Sequence, residues 1–159
     1  MSEQYSRPAT IEDLKLLVRS LNERKIDYLL IGGYALYAHG YARATVDIDL
    51  LLRADAETGQ KLKAALLSLP DRAAEQLDPA WFSEGETIRL ADAFVVDLMF
   101  NAGGNSYDDL KAYREVIDLD GVPVSTINLE GLLLTKKTVR DKDKADRIVI
   151  EKALKEKGG

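Results

Sequence analysis

Three aspartates stand out by their surroundings. Asp47 and Asp49 alternate with apolar residues in Val46-Asp47-Ile48-Asp49-Leu50-Leu51-Leu52, and Asp97 interrupts the apolar run Phe94-Val95-Val96-Asp97-Leu98-Met99-Phe100. Aspartate is among the residues most depleted from strands, and a solvated strand face more naturally carries Thr, Lys or Glu. Strand residues two apart share a face, with Cα atoms about 7 Å apart. Asp47 and Asp49 can therefore converge on one divalent cation, or on two ions roughly 4 Å apart. Oxygen-only ligands suit Mg²⁺ or Mn²⁺, whose remaining positions go to water and substrate phosphates. An isolated Asp-x-Asp is more often a strand face turned to water. Asp97 taken alone is as readily a carboxylate paired with an arginine or held by backbone N–H groups, because a buried unpaired carboxylate costs on the order of several kcal/mol. Three carboxylates on two apolar strands shift the balance toward a shared metal.

A second signal precedes them. Ile31-Gly32-Gly33 closes a short apolar run fourteen residues before Asp47. Glycines there let the backbone approach a ligand, and free N–H groups at a following helix attract phosphate. A bare Gly-Gly is commonly an ordinary turn; its value lies in its spacing to the aspartates. Arg43 and Thr45, in between, offer a phosphate contact and a hydroxyl, against default readings as a solvated cation and a strand-favouring residue. His39 reads as a satisfied helix-end residue.

These groups need elements to hold them. Thr10 with Asp13 three residues on has the spacing of a capping box, and Ile11, Leu14, Leu17, Val18 and Leu21 recur at helical spacing to about Glu23 or Arg24. Tyr28 to Ile31 reads as a buried strand, Tyr34 to about His39 as a short helix, Val46 to Leu52 as a strand and Ala56 to Leu69 as an amphipathic helix stopped by Pro70. Ala73 to Glu86 shows no period and reads as irregular. Thr87–Leu90 and Phe94–Phe100 read as a hairpin, Asn101–Asn105 as a flexible loop and Tyr107–Glu115 as a short helix. Val116–Asp120 and Val122–Ser125 form a second hairpin at a sheet edge, where Pro123 is tolerated. Helices over Asn128 to about Val139 and Asp143 to about Lys157 complete the chain. Hairpins among irregularly alternating elements predict an α+β fold, a short mixed sheet with helices on one side, rather than a doubly wound parallel sheet.

Composition narrows the chemistry. The 159 residues fit one domain, 46% hydrophobic and 31% charged. The net charge of −5 argues against a non-specific nucleic-acid binder. With no cysteine and one histidine, thiol nucleophiles, disulfides and the usual zinc sites are excluded. No signal pattern or membrane-length apolar run is present, which predicts a cytoplasmic protein without a membrane partner. From Lys136 to Lys157, nine Lys/Arg face five Asp/Glu. That stretch reads as a helix laced with ion pairs, or alternatively as a basic wall opposite the carboxylates.

Taken together, Ile31-Gly32-Gly33, Arg43, Thr45, Asp47-Ile48-Asp49 and the later Asp97 resemble the polymerase-β-type nucleotidyltransferase superfamily, over roughly Asp27 to Phe100. Its signature is Gly-Gly or Gly-Ser after a hydrophobic residue, a short spacer, then Asp-x-Asp/Glu. GGYALYAHGYARATVDIDLLL is most similar to the AbiEii-like branch of bacterial toxin–antitoxin and abortive-infection systems. That branch often has a Lys and then Arg-x-Lys-Asp-x-x-Asp near its C-terminus; Lys136 or Lys137, then Arg140-Asp141-Lys142-Asp143-Lys144-Ala145-Asp146, match it. The resemblance implies a minimal nucleotidyltransferase fold whose C-terminal helices close the cleft. It implies Mg²⁺-dependent transfer of NMP from an NTP to a hydroxyl of RNA, a protein or a small molecule such as an antibiotic. It gives Gly32 and Gly33 the nucleotide phosphates and Asp47 and Asp49 both metal ions. Asp97 would take the catalytic ion and help deprotonate the acceptor, Lys136 or Lys137 would contact the triphosphate, and Asp143 belongs to the same C-terminal motif. A cognate toxin or antitoxin partner is implied as well. The rival reading is a non-catalytic nucleotide-binding or antitoxin-like module, which the presence of all three carboxylates disfavours.

Overall fold

The computed structural model of the protein describes residues 6–41, 47–136 and the backbone of 141–158, with side chains from 147 to 157 in that last stretch. The sequence-derived candidates Arg43, Thr45 and Lys137, and the side chain of Asp143, lie outside the described residues.

Helix α1 (Ile11–Glu23) starts on the expected capping box: Asp13 N–H donates to Thr10 Oγ1 at 3.2 Å, and Thr10 N–H donates back to Asp13 Oδ2 at 2.8 Å. Arg7 pairs with the same carboxylate. The helix buries Leu14, Leu17, Val18 and Leu21, and packs on β6 and on α3. The remaining elements are β1 (Leu29–Ile31), α2 (Gly32–Ala38), β2 (Ile48–Leu51), α3 (Ala56–Leu66), β3 (Ile88–Ala91), β4 (Val95–Met99), α4 (Tyr107–Leu110), β5 (Arg114–Leu119), β6 (Val122–Ile127), α5 (Leu129–Thr135) and α6 (Asp141–Gly158).

Among the described residues, six strands form one mixed sheet in the order β3-β4-β2-β1-β6-β5. Neighbours β3/β4, β1/β2 and β5/β6 run antiparallel, while β2/β4 and β1/β6 run parallel. The α+β architecture read from the sequence is therefore the one observed. α2 packs on β1, β2 and α5, and α6 packs on α5, burying Ile150 and Ala153.

Several boundaries differ from the sequence reading, each for a local reason. The segment expected to be irregular holds two 3₁₀ helices, Ala73–Gln76 and Pro79–Glu84, whose three-residue repeat matches neither the helical nor the strand period. The second begins at Pro79, with Asp78 Oδ1 accepting from Ala80 N–H at 2.9 Å. It buries Phe82 edge-on against Phe100, ring centroids 5.0 Å apart. It lies so close to α3 that a Cβ on Gly59 would fall 2.7 Å from the Pro79 carbonyl. Asn101–Asn105 is a turn closed by reciprocal backbone hydrogen bonds between Ala102 and Asn105. The helix expected to reach Glu115 ends at Leu110, followed by a 3₁₀ turn, because Arg114 and Glu115 already pair with Ile127 and Thr126 in the β5/β6 ladder. That hairpin places β5, not β6, at the edge. Pro123 is tolerated because β1 reaches β6 only at Leu30↔Thr126, so no ladder needs its missing N–H.

The β3–β4 hairpin, which carries Asp97, is fastened by Asp92. This fully buried carboxylate accepts hydrogen bonds from the N–H groups of Asp71 (2.8 Å), Ala73 (2.8 Å) and Ala93 (2.7 Å). Charge-assisted bonds of this kind are the stronger class, and they tie the sheet edge to the first 3₁₀ segment.

Candidate active site

Register brings the predicted carboxylates together. Asp49 on β2 is the direct partner of Asp97 on parallel β4, and Ile31 at the end of β1 is the partner of Asp49 on its other side. Neighbouring strands lie about 5 Å apart. The chain turns immediately after Ile31, and Gly32 opens α2 with φ +72°. A Cβ on Gly32 would overlap Asp49 Oδ2 and lie 3.2 Å from its Cγ. The glycine thus does two things: it takes a left-handed conformation and leaves room for the Asp49 carboxylate. Asp47 sits at the bend just before β2 rather than inside the strand as expected.

The site contains a residue that sequence reasoning missed. Arg89 on β3 is the antiparallel register partner of Asp97. Its Nη1 donates to Asp97 Oδ2 at 3.2 Å and Oδ1 at 3.3 Å, and its Nη2 donates to Asp47 Oδ2 at 3.0 Å. The arginine partner weighed for Asp97 taken alone is therefore present, and it spans two of the three carboxylates. The available signal was a single cation in the apolar edge strand Ile88-Arg89-Leu90; what the sequence lacked was the register. Among the described residues, no three carboxylate or imidazole side chains are gathered closely enough to hold a metal ion.

The electrostatics favour a cation. The Asp97 side chain is only 15% exposed, against 28% for Asp47 and 60% for Arg89. Burial pushes the Asp97 carboxyl above its ordinary value, and the charge of Asp47 adds to the push; Arg89 and a hydrogen bond with Asp49 pull the other way without winning. Asp97, followed by Asp47, holds the Arg89 guanidinium above its own ordinary range. Carboxylate oxygens with no sulfur or imidazole are the donor type of a hard divalent ion such as Mg²⁺ or Mn²⁺, but in this arrangement the three are not gathered on one point and the cation on Asp97 is Arg89.

A pH prediction follows from the Asp97 shift. A carboxyl whose folded value is raised is protonated more readily in the folded than in the unfolded chain, so stability falls as pH rises through its ordinary value of 3.8 toward the folded value. Asp97→Asn is expected to raise the Tm of metal-free protein at neutral pH, and the gain should vanish below pH 3.8. Thermal melts across pH check this; a lower Tm for the variant at neutral pH contradicts it.

The other sequence candidates are placed as follows. Gly33 continues the first turn of α2. Lys136 caps α5, half-buried, on the helix that packs against α2. His39 caps the other end of α2, with Nε2 2.9 Å from the Ile127 carbonyl, as a satisfied helix-end residue. Among the described residues, no helix is long and apolar enough to cross a membrane.

A six-stranded mixed sheet that presents paired aspartates beside a Gly-Gly turn defines a nucleotidyltransferase fold, and comparison with known proteins gives the same class. The family model for the nucleotidyl transferase AbiEii toxin of type IV toxin–antitoxin systems matches residues 15–143, and the chain belongs to this family of nucleotidyltransferase enzymes. Among solved structures it is similar to TM1012 of Thermotoga maritima, assigned as a nucleotidyltransferase, at 16% identity and a TM-score of 0.58 over 92% of both chains. It is also similar to an antigenic nucleotidyltransferase-like protein of Paracoccidioides brasiliensis, at 21% identity and a TM-score of 0.53, over 90% of this chain and 77% of that one. At these identities the two structures attest the fold. No curated protein matches the chain.

Proposed function

We propose that the protein transfers a nucleoside monophosphate from an NTP to a hydroxyl acceptor, with Asp47, Asp49 and Asp97 holding Mg²⁺ or Mn²⁺. The observation that carries this reading is the register pairing of Asp49 with Asp97 beside the Gly32 turn. Such an ion, when bound, supplies charge neutralisation at the attacking and leaving oxygens. The chain's own residues do the rest. The Gly32–Gly33 turn gives the triphosphate an approach to backbone donors next to Asp49. The acceptor oxygen forms its bond to the α-phosphorus as the bond to the bridging oxygen of the β-phosphate breaks, and pyrophosphate leaves. The acceptor proton passes to Asp97, the role the resemblance gives it. By resemblance Lys136 or Lys137 contacts the triphosphate and Asp143 belongs to the same C-terminal motif, while Arg43 and Thr45 offer a phosphate contact and a hydroxyl. Family membership supports a bacterial toxin–antitoxin setting with a cognate antitoxin partner.

The test is transfer of label from α-³²P-labelled NTPs, with Mg²⁺ or Mn²⁺, to cell RNA, lysate protein or antibiotics. Metal-dependent label on one acceptor class is expected. No transfer to any of them, with melting unchanged by NTP and metal, overturns the proposal and favours a non-catalytic module.

A further inference from the structure

Arg89 bridges the outer two members of the carboxylate trio, and the role inferred for it rests on the metal-site reading above. One guanidinium donates to Asp97 and to Asp47 at 3.0 to 3.3 Å. These two carboxylates therefore already share a cation, and a divalent ion drawn to them would compete with it. The same side chain lines a second space, a cavity of about 430 Å³ walled also by Asp71, Gln76, Leu77, Trp81 and Ile88. Its lining includes two residue types that favour a guanidinium, the acidic Asp71 and the aromatic Trp81, the latter 42% exposed. Arg89 is itself 60% exposed, so close packing does not fix it on the carboxylates.

The geometry points to Arg89 as an internal stand-in for the metal: it bridges Asp47 and Asp97 in the metal-free protein and swings into the Trp81 cavity when a divalent ion takes the carboxylates. Arg89 is then a positioning residue. It offsets the mutual repulsion of carboxylates held on adjacent strands and keeps them aimed at one place, while weakening metal binding by competition. The swing also couples metal binding to the surroundings of Trp81, the only tryptophan in the chain.

The experiment uses the full chain as wild type, Arg89→Gln and Arg89→Lys. Mn²⁺ binding is read from the electron paramagnetic resonance of the free ion, and Trp81 emission is followed during a Mg²⁺ titration. Arg89→Gln is expected to bind Mn²⁺ roughly fivefold to tenfold more tightly than wild type, the scale set by two partly exposed ion pairs, with Arg89→Lys between them. Mg²⁺ is expected to shift Trp81 emission in wild type and to leave it unchanged in Arg89→Gln. Equal or weaker Mn²⁺ binding by Arg89→Gln, while wild type binds, overturns the competition and leaves the metal-site reading standing. A gain in affinity with no emission change in wild type overturns the cavity as the arginine's second position. If neither protein binds Mn²⁺ and neither transfers nucleotide, the metal-site reading falls and the inference falls with it.

Discussion

Asp49→Asn is expected to lower nucleotidyl transfer by about a thousandfold while leaving the fold intact. The substitution keeps the shape of the side chain and one acceptor oxygen, and it removes the charge at the centre of the trio. Asp49 pairs in register with Asp97 on one side and Ile31 on the other, and its carboxylate lies against the Gly32 turn. An asparagine there also presents an amide N–H₂ toward Asp97 in place of an oxygen. Core packing does not depend on the lost charge, because the apolar residues beside it, Ile48, Leu50 and Leu51, are fully buried on their own account. The Tm should therefore stay near that of wild type. Asp27→Asn is the matched control. Asp27 pairs with Arg53 ahead of β1, at the opposite end of that strand from Gly32, so its loss should leave transfer unchanged. Initial rates with labelled NTP, alongside thermal melts, check both variants; substantial transfer by Asp49→Asn would remove the carboxylates from the proposed chemistry.

How much of this site the sequence carried depended on whether each interaction was local. The capping box of α1 was readable because Thr10 and Asp13 meet within one turn, and β4 was readable because its apolar run is longer than any turn allows. The pairing of Asp49 with Asp97 could be expected from their common setting. Arg89 could not, because its partners lie eight and forty-two residues away and are chosen by strand register alone. The segment from 73 to 86 stayed unreadable for a related reason. Its 3₁₀ turns are held by Asp92 and by close approach to Gly59, contacts that leave no period in the chain. These same long-range contacts fix the hairpin that carries Asp97. The least readable part of the fold thus sets how one of the predicted carboxylates is aimed.

Gly32→Ala separates the placement of Asp49 from its charge. A Cβ at this position meets two obstacles: the backbone is held at φ +72°, and the space is taken by the Asp49 carboxylate. The first costs about 1 to 2 kcal/mol for an L-residue. The second forces Asp49 to rotate, since the backbone on either side is locked by β1/β2 pairing at Ile31↔Asp49. A shift of about 1 Å in a reacting group can cost on the order of a hundredfold in rate, so Gly32→Ala should lose about that much transfer with all three carboxylates still present. Gly121→Ala isolates the backbone term. Gly121 has φ +91° with open space where its Cβ would go, in the β5–β6 turn away from the carboxylates. It should lose a similar 1 to 2 kcal/mol in chemical denaturation, about the cost of the left-handed conformation, and keep full transfer per folded molecule. If the two variants lose stability alike and both transfer normally, Gly32 serves only the turn, and the room it leaves for Asp49 has no part in catalysis. If Gly32→Ala alone loses transfer, the aim of Asp49, and not merely its charge, is what the turn after β1 provides.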